Sequence, residues 1–595
     1  MTPPEYRPRR FSRKVTVSMQ NEEEQMMKGR KKYLTFAIGC TFLVALAGPG
    51  FAGMGGPGGH GMGGGGYGPG PGGGGGGTAS YDTLFTTLHF SGSGNCKMCH
   101  NGLVDENGVD VSIETSWSST VMAHASRDPV WRAKVSSELA RNPGLAAVIN
   151  EKCSRCHAPM ANTEAVYHDD EINLLDGTLT PADPYYDAAM DGVSCTLCHQ
   201  IADTADLGTD AGFSGHYTVD TYPNPLDRRI YGPYDNVFAM PMLNMVGYTI
   251  AYSPHIKEST VCATCHNLRT PYVDEAGNII STPATEFPEQ MTYSEWLASD
   301  YPARQSCQDC HMPRTNGVVM ASRPMWLNTL RDDFAIHELV GGNTLLLDLL
   351  QNNAAELDAT DANIPVTMQE TEQMLQSAAA IELVGGSLVN NVLAFDLRVK
   401  NLSGHKLPSG IPLRRLILHV KVSDARGRTV FESGRINADG SVAGLDSDAN
   451  SATFETHYEL ITAPDQVQAY EAVMADNVGA VTCTLLRAVD MVKDNRLLPT
   501  GFNKATVSPD IKVAGAALTD PDFTGGSDAI GFRLAGMKAA RYTVTAELVY
   551  QPLAFAFLDD MSSDATPEIA ALASMYQAST AKSTAMTAAT FQVWR

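Results

Sequence analysis

The sequence is poor in basic residues for its length. Lys and Arg number 43 against 66 Asp and Glu in 595 residues, which gives a net charge of −23 at pH 7. No basic tract interrupts the body of the chain. Because binding to phosphate backbones requires clustered positive charge, nucleic acid is not an expected partner. We expect partner proteins with a basic docking face instead.

The sequence also has no apolar run suited to cross a bilayer, which takes roughly 20 residues. Residues 33–46 are apolar but shorter, follow the basic stretch 28–32, and precede small residues up to Ala52. This order of basic, apolar and small residues is typical of a secretory signal peptide. We therefore expect cleavage after Ala52 and a periplasmic or cell-surface, extracellular location. A retained N-terminal anchor is the alternative.

Side chains able to build a core are missing from residues 53–77, which contain 18 glycines. Such a stretch is typical of a flexible tether. Two interpretations stay open, a spacer that allows membrane proximity and a tolerated low-complexity insertion. The expected organisation is an N-terminal extension with signal peptide (1–52), a Gly-rich linker (53–79), a region rich in cysteine and histidine (80–365) and a C-terminal region (366–595).

Cysteine is almost absent outside one pattern: only Cys40 and Cys483 lie elsewhere. The other ten form five Cys-x-x-Cys-His units, the attachment signature of c-type haem, in which both thiols become thioethers. A disulfide framework is thereby excluded, and five c-type haems are the predicted cofactors. The predicted attachment residues are Cys96, Cys99, Cys153, Cys156, Cys195, Cys198, Cys262, Cys265, Cys307 and Cys310.

Histidine decides what such irons do. Each motif histidine is the predicted proximal ligand, and a second histidine gives a saturated electron-transfer haem, whereas an open position allows a small molecule to bind. His405 could also reach back to a haem from the C-terminal region. The predicted proximal ligands are His100, His157, His199, His266 and His311, and the predicted distal ligands are His89, His124, His255, His337 and His216.

Hydrophobic patterning separates two regions. Short amphipathic segments such as 130–141 and 294–299 lie among loops up to about residue 352, and porphyrins must supply much of the core there. Alternating apolar residues follow at 393–399, 416–422 and 542–548, which predicts antiparallel strands. Residues 368–380 and 564–588 are predicted to be helical. The expected fold is α+β multidomain, a haem-packed domain of short helices and loops followed by an antiparallel β-sandwich-like domain.

Several motifs resemble those of the exported multihaem cytochrome c family with a cytochrome c-554-like haem domain. The likeness covers about residues 85–435 and includes 192–199, 231–233, 258–268, 295–313 and 404–410. It implies electron transfer by closely packed haems, mostly with two histidine ligands. The founding proteins of that family carry four haems, so the resemblance does not supply the ligand pairing of the fifth.

Two functions remain in view. The first is an electron-transfer protein without catalytic residues, working through five haems. The alternative is an enzyme, a reductase of a small nitrogen oxyanion or hydroxylamine at one five-coordinate haem. Pentahaem nitrite reductases typically carry Cys-x-x-Cys-Lys, which this sequence lacks, so the first function is favoured. Oligomeric state is not predicted.

Two further features have alternative interpretations. Asp439, Asp446 and Asp448 alternate with other residues as in a Ca²⁺ loop, or form an ordinary turn. The arginine pairs at 228–229 and 414–415 suit haem propionates, or form surface ion pairs.

Overall fold

Short helices joined by loops form the first part of the chain in the computed structural model, which describes residues 81–359, 361–538 and 540–594. The predicted signal peptide and glycine segment lie outside these residues. Asp128 begins the longest of these helices by accepting hydrogen bonds from the backbone N–H groups of Val130 and Trp131. The helices are α1 Ser93–Lys97, α2 Ile113–Ser118, α3 Pro129–Arg141, α4 Ala146–His157, α5 Pro159–Tyr167, α6 Tyr186–Met190, α7 Cys195–Cys198, α8 Met240–Val246, α9 Ser259–His266, α10 Thr292–Leu297 and α11 Cys307–His311.

Four small two-stranded sheets connect the loops of this region. The first pair is parallel and the other three are antiparallel. Their small size fits a region in which side chains alone form little core. The strands are β1 Arg229–Gly232 with β2 Thr249–Tyr252, β3 Asn267–Thr270 with β4 Phe287–Met291, β5 Arg314–Thr315 with β8 Phe334–Ala335, and β6 Val318–Val319 with β7 Leu330–Arg331.

Two larger sheets form the second part of the chain. One has the strand order β13-β16-β10-β9; the other has β15-β14-β11-β17-β18, with β12 paired to β11. All these pairings are antiparallel except that of β13 with β16. The strands are β9 Ala379–Val389, β10 Val392–Asn401, β11 Arg415–Ser423, β12 Thr429–Ser433, β13 Leu460–Ile461, β14 Ala469–Ala475, β15 Asp490–Asp494, β16 Ser527–Ala535, β17 Tyr542–Gln551 and β18 Thr584–Val593.

The core of this second part lies between the two sheets. Phe395 of β10 and Phe532 of β16 stack with ring centroids 4.8 Å apart, and Val420 of β11 and Val544 of β17 belong to the same buried cluster. Every second residue of β10 is buried, as the alternation predicts. The predicted α+β fold, with a strand-rich, sandwich-like C-terminal part, is confirmed.

Helices surround the sandwich: α12 Thr344–Asn352, α13 Ile364–Ser377, α14 Asp446–Ala449, α15 Phe555–Met561 and α16 Pro567–Ala578. The predicted helix at 564–588 is too long, because residues 584–593 form β18 and pair with β17. The predicted domain boundary at residue 365 falls inside the first turn of α13. Among the described residues no helix is both long and apolar enough to cross a membrane.

The two parts pack into one unit. Lys134 of α3 donates to the carbonyl of Cys483 at 2.7 Å. Arg141 pairs with Asp560 of α15 and with Asp564, which follows that helix. Cys483 is buried in an apolar cluster, and burial raises the pKa of its thiol to about 12. It is therefore a packing residue of this interface.

Candidate haem-binding site

Each motif is carried by a single helical turn. A turn of 3.6 residues places the two cysteines, three apart, on one side of the helix and the following histidine next to them. The second, fourth and fifth motifs occupy the last turn of α4, of α9 and the whole of α11. None of the described cysteines forms a disulfide, so all ten motif thiols are available for thioether bonds.

Backbone carbonyls fix the protonation of four motif histidines. Nδ1 of His100, His157, His199 and His311 lies 2.8, 3.1, 2.7 and 2.6 Å from the carbonyl oxygens of Met320, Ala125, Tyr231 and Val340. A carbonyl can only accept, so the proton is on Nδ1 and the lone pair is on Nε2. Histidines that bind metals through Nε2 are typically oriented by this kind of bond.

Burial keeps these imidazoles neutral, which is the state that binds iron. It lowers the pKa of His157 to about 4, against the effect of the Ala125 carbonyl. It also lowers the pKa of His266 to about 4, with contributions from His311, Arg414 and His405. Proton competition for these rings is therefore weak at neutral pH.

Thiols of different motifs touch one another. Cys96 lies beside Cys195, Cys156 beside Cys265, and Cys262 beside Cys307, so that within each pair one thiol affects the pKa of the other. The first motif is thus adjacent to the third, the second to the fourth, and the fourth to the fifth. Since each thiol is an attachment point, these contacts bring the edges of neighbouring haem positions together.

Electrostatic effects between residues of different motifs indicate the same arrangement of the motifs in space. The charge of Cys265 raises the pKa of Cys198, after burial, which links the third motif to the fourth. His199 lowers the pKa of His100, again after burial. The order in space is therefore first, third, fourth and fifth, with the second motif attached to the fourth.

His337 faces the third motif. Its ring centroid lies 6.3 Å from that of His199, with an interplanar angle of 24°. Two imidazoles that share one metal ion through bonds of about 2 Å need ring centres roughly 6 Å apart. Nδ1 of His337 lies 3.0 Å from the Ala335 carbonyl, so its lone pair is also on Nε2. The geometry of this pair fits one iron.

The surroundings of His124 also show whether the residues present fit a haem iron. Its side chain is 2 % exposed, and both ring nitrogens lack a hydrogen-bond partner among the described residues. Burial lowers its pKa well below the ordinary value, with a smaller effect of Arg127. A neutral, buried imidazole without partners is costly unless a ligand completes it, and an iron would do so.

The three remaining predicted distal ligands are engaged by protein groups. Nε2 of His89 contacts the Thr221 hydroxyl at 2.8 Å, while Nδ1 faces Glu164. His216 donates from Nδ1 to the Phe213 carbonyl and contacts Arg155 through Nε2.

His255 has the opposite tautomer. Its Nε2 lies 2.9 Å from the Ile201 carbonyl and its Nδ1 lies 2.6 Å from the Ser253 hydroxyl. The proton is therefore on Nε2, the atom that iron would need. Sequence position alone does not carry this information, since His255 and His337 look equally suitable there.

The carboxylates of the predicted Ca²⁺ loop are engaged by protein donors. Asp448 accepts a bidentate pair of hydrogen bonds at 2.7 Å from the buried Arg415, and Asp439 accepts from Ser441. Ca²⁺ is therefore not supported at this loop. Arg415 is likewise unavailable to a haem propionate, whereas Arg414 lies close to His266.

Comparison with known proteins agrees with the motifs. Residues 95–200 match the family model "Cytochrome c554 and c-prime". A solved structure, the penta-heme cytochrome c552 from Thermochromatium tepidum, aligns with 85 % of this chain and 99 % of its own at 16 % identity and a TM-score of 0.48. No curated protein matches the chain. Residues 95–200, which hold the first three motifs, therefore form a cytochrome c554-like multihaem domain.

Proposed function

We propose that the protein transfers electrons through five covalently bound haems, one at each motif. The direct contact between attachment thiols of different motifs carries this proposal. Haem iron, when bound, supplies a one-electron Fe(III)/Fe(II) couple. The chain's own contribution would be to hold five such couples close together, because attachment thiols of different motifs are neighbours.

The path has a branch. The neighbouring thiols Cys96 and Cys195 join the first motif to the third, and Cys262 and Cys307 join the fourth to the fifth. The electrostatic effect of Cys265 on Cys198 places the third motif near the fourth, so that these four motifs form one line. The second motif joins this line at the fourth through Cys156–Cys265. The fourth motif is therefore the junction through which electrons from the fifth reach the first.

Removal of single motifs tests the branch. A ruthenium photosensitiser attached at Asp300→Cys, an exposed position near the fifth motif, would deliver electrons in dilute solution with a sacrificial donor. In the otherwise unchanged protein, all five haems should be reduced in the fast, concentration-independent phase. The variant Cys262→Ser/Cys265→Ser removes the haem at the fourth motif. Only the haem at the fifth motif should then be reduced in the fast phase, and the haems at the first three motifs should not.

The matched control removes the side branch instead. The variant Cys153→Ser/Cys156→Ser loses one haem as well, but all four remaining haems should be reduced in the fast phase. Equal fast phases in the two variants would refute the proposed order. A haem content other than five per unmodified chain, measured by mass, would refute the proposal as a whole.

The alternative function, reduction of a nitrogen oxyanion or hydroxylamine, requires one iron with an open sixth position. The spin state of the ferric protein tests it. About one fifth of the haem should then be high-spin and bind cyanide or nitrite; haem that is entirely low-spin would exclude this function.

We also propose export, with a periplasmic or cell-surface location, on the basis of residues 28–52. The acidic net charge supports a redox partner with a basic docking face. N-terminal sequencing of the mature protein should give Gly53 as the first residue. Association with such a partner should slow steeply as ionic strength rises.

A further inference from the structure

One loop of the sandwich reaches into the haem region. Residues 402–410, between β10 and β11, lie against α10 and the turn at Tyr301–Ala303, which separates the fourth motif from the fifth. The Tyr301 hydroxyl donates to the Leu402 carbonyl at 2.7 Å, and the Ser409 hydroxyl donates to Glu295 at 2.6 Å. The loop is therefore held from both ends.

Gly404 shows how close this contact is. A Cβ built on it would lie 3.1 Å from the ring of Tyr301 and 3.2 Å from that of Trp296. A side chain at this position would require these rings to shift by a few tenths of an ångström. The next residue along this closely apposed segment is His405.

The ring of His405 has the protonation of an iron ligand. Its Nδ1 lies 2.8 Å from the Lys406 carbonyl, which leaves the lone pair on Nε2, as in the four motif histidines. The residue that provides this carbonyl is itself fixed, since Lys406 is fully buried and its Nζ lies 2.6 Å from Asp494. The orientation of the ring thus depends on a buried ion pair.

Two motifs are near His405, and the fifth is favoured. Trp296, whose ring would lie 3.2 Å from a Cβ at Gly404, donates from Nε1 to the Gln305 carbonyl at 3.1 Å, two residues before Cys307. Tyr301, which holds the loop at Leu402, begins the short turn that leads into the fifth motif. Burial lowers the pKa of His311, and His405 contributes to this, as it also does at His266. The side chains that support the loop therefore lead to the position held by the fifth motif.

We propose that His405 is the sixth ligand of the iron at the fifth motif, so that the sandwich completes a haem of the other region. The proposal rests on the proposed function, because it requires haem at that motif. It gives the C-terminal part of the chain a direct role at one terminus of the electron path. Separation of the loop from α10 would open that iron.

The test is the spin state of the ferric holoprotein. His405→Ala should convert one haem in five to high-spin, seen as a loss of one fifth of the low-spin resonance signal. The matched control is His419→Ala, since His419 also lies in the sandwich but its ring is engaged by Glu432 and Glu547. An unchanged spectrum in His405→Ala, with five haems present, would overturn the proposal and leave the proposed function standing.

Chemical rescue guards against a general structural effect. In His405→Gly, added imidazole should restore the low-spin signal, which a merely disturbed fold would not allow; lack of rescue in a folded variant would count against ligation. In the background Cys307→Ser/Cys310→Ser, His405→Ala should produce no new high-spin haem. If it does, His405 serves the fourth motif and the assignment is wrong.

Discussion

Asp528 of β16 should make the stability of the sandwich depend on pH. Its side chain is fully buried beside His457 and Asp520. Burial raises its pKa from 3.8 to about 8, helped by the charges of Asp520 and Asp522 and opposed by the Tyr470 hydroxyl, which donates to it at 2.7 Å. At neutral pH the group is therefore a carboxylic acid in the folded protein and a carboxylate in the unfolded chain.

The surrounding bonds show why this cluster keeps a proton rather than binding a metal ion. Nδ1 of His457 accepts hydrogen bonds from the side-chain amides of Gln468 and Asn495 at 2.9 and 3.0 Å. Its proton is consequently on Nε2, from which it donates to Asp520 at 2.9 Å. A metal ion at the three side chains would have to displace that proton and would leave Nδ1 between two donors.

The direction and size of this pH dependence follow from the linkage between protonation and folding. A raised pKa in the folded state means that the stabilising contribution is complete below pH 3.8 and is lost as the pH rises towards 8. Each pH unit in this window changes the free energy of unfolding by about 1.4 kcal/mol. Between pH 5 and pH 8 the loss is about 4 kcal/mol.

Asp528→Asn is the informative variant, because asparagine has the shape of the protonated acid and no charge to titrate. Its thermal unfolding temperature, followed by far-UV circular dichroism of the holoprotein, should exceed that of the unmodified protein by more at pH 8 than at pH 5. Haem-linked groups are common to both proteins and cancel in the difference. A difference that stays constant from pH 5 to pH 8 would refute the reasoning.

Three further outcomes are expected. His337→Ala should turn one haem high-spin, because it removes the ring 6.3 Å from His199, and an unchanged resonance spectrum would exclude the pairing. Asp494→Asn should lower stability by about 3 kcal/mol, because Lys406 and Arg496, 2.6 and 2.7 Å away, would lose their buried anion; denaturation followed by circular dichroism measures this, and a loss under about 1 kcal/mol would contradict it. Cys483→Ala should leave the haem content at five, as measured by mass, since its thiol lies in an apolar cluster; a lower content would give Cys483 a role in maturation.

Alternating apolar residues correctly predict strands whose burial pattern is regular. Alternation at 393–399 and 542–548 predicts β10 and β17, because both strands bury one face against the opposite sheet. The Ala- and Thr-rich residues 584–588 are predicted to be helical, and instead they form part of β18. Their helix propensity is outweighed by pairing along β17, a contact that lies more than 30 residues away in sequence.

The axial ligands show the corresponding limit at the site. The sequence predicts the attachment cysteines and proximal histidines because both lie within one turn of a helix. A distal ligand is brought by the fold from another segment, and its suitability depends on which ring nitrogen carries the proton. The Ala335 carbonyl leaves Nε2 of His337 unprotonated, whereas the Ile201 carbonyl protonates that of His255. Composition and residue spacing do not predict either of these contacts between a carbonyl and a histidine.

A network of buried charges links the two parts of the molecule and affects the orientation of His405. Lys406, Asp494, Arg496 and Glu295 form a buried chain of charges that runs from the sandwich to α10, with Arg496 2.9 Å from Glu295. Such a chain adds little stability by itself, because desolvation offsets most of the attraction between its charges. It does fix one arrangement of the loop at 402–410, and with it the direction in which Nε2 of His405 points. We therefore expect these four charges to contribute conformational specificity at the loop rather than stability.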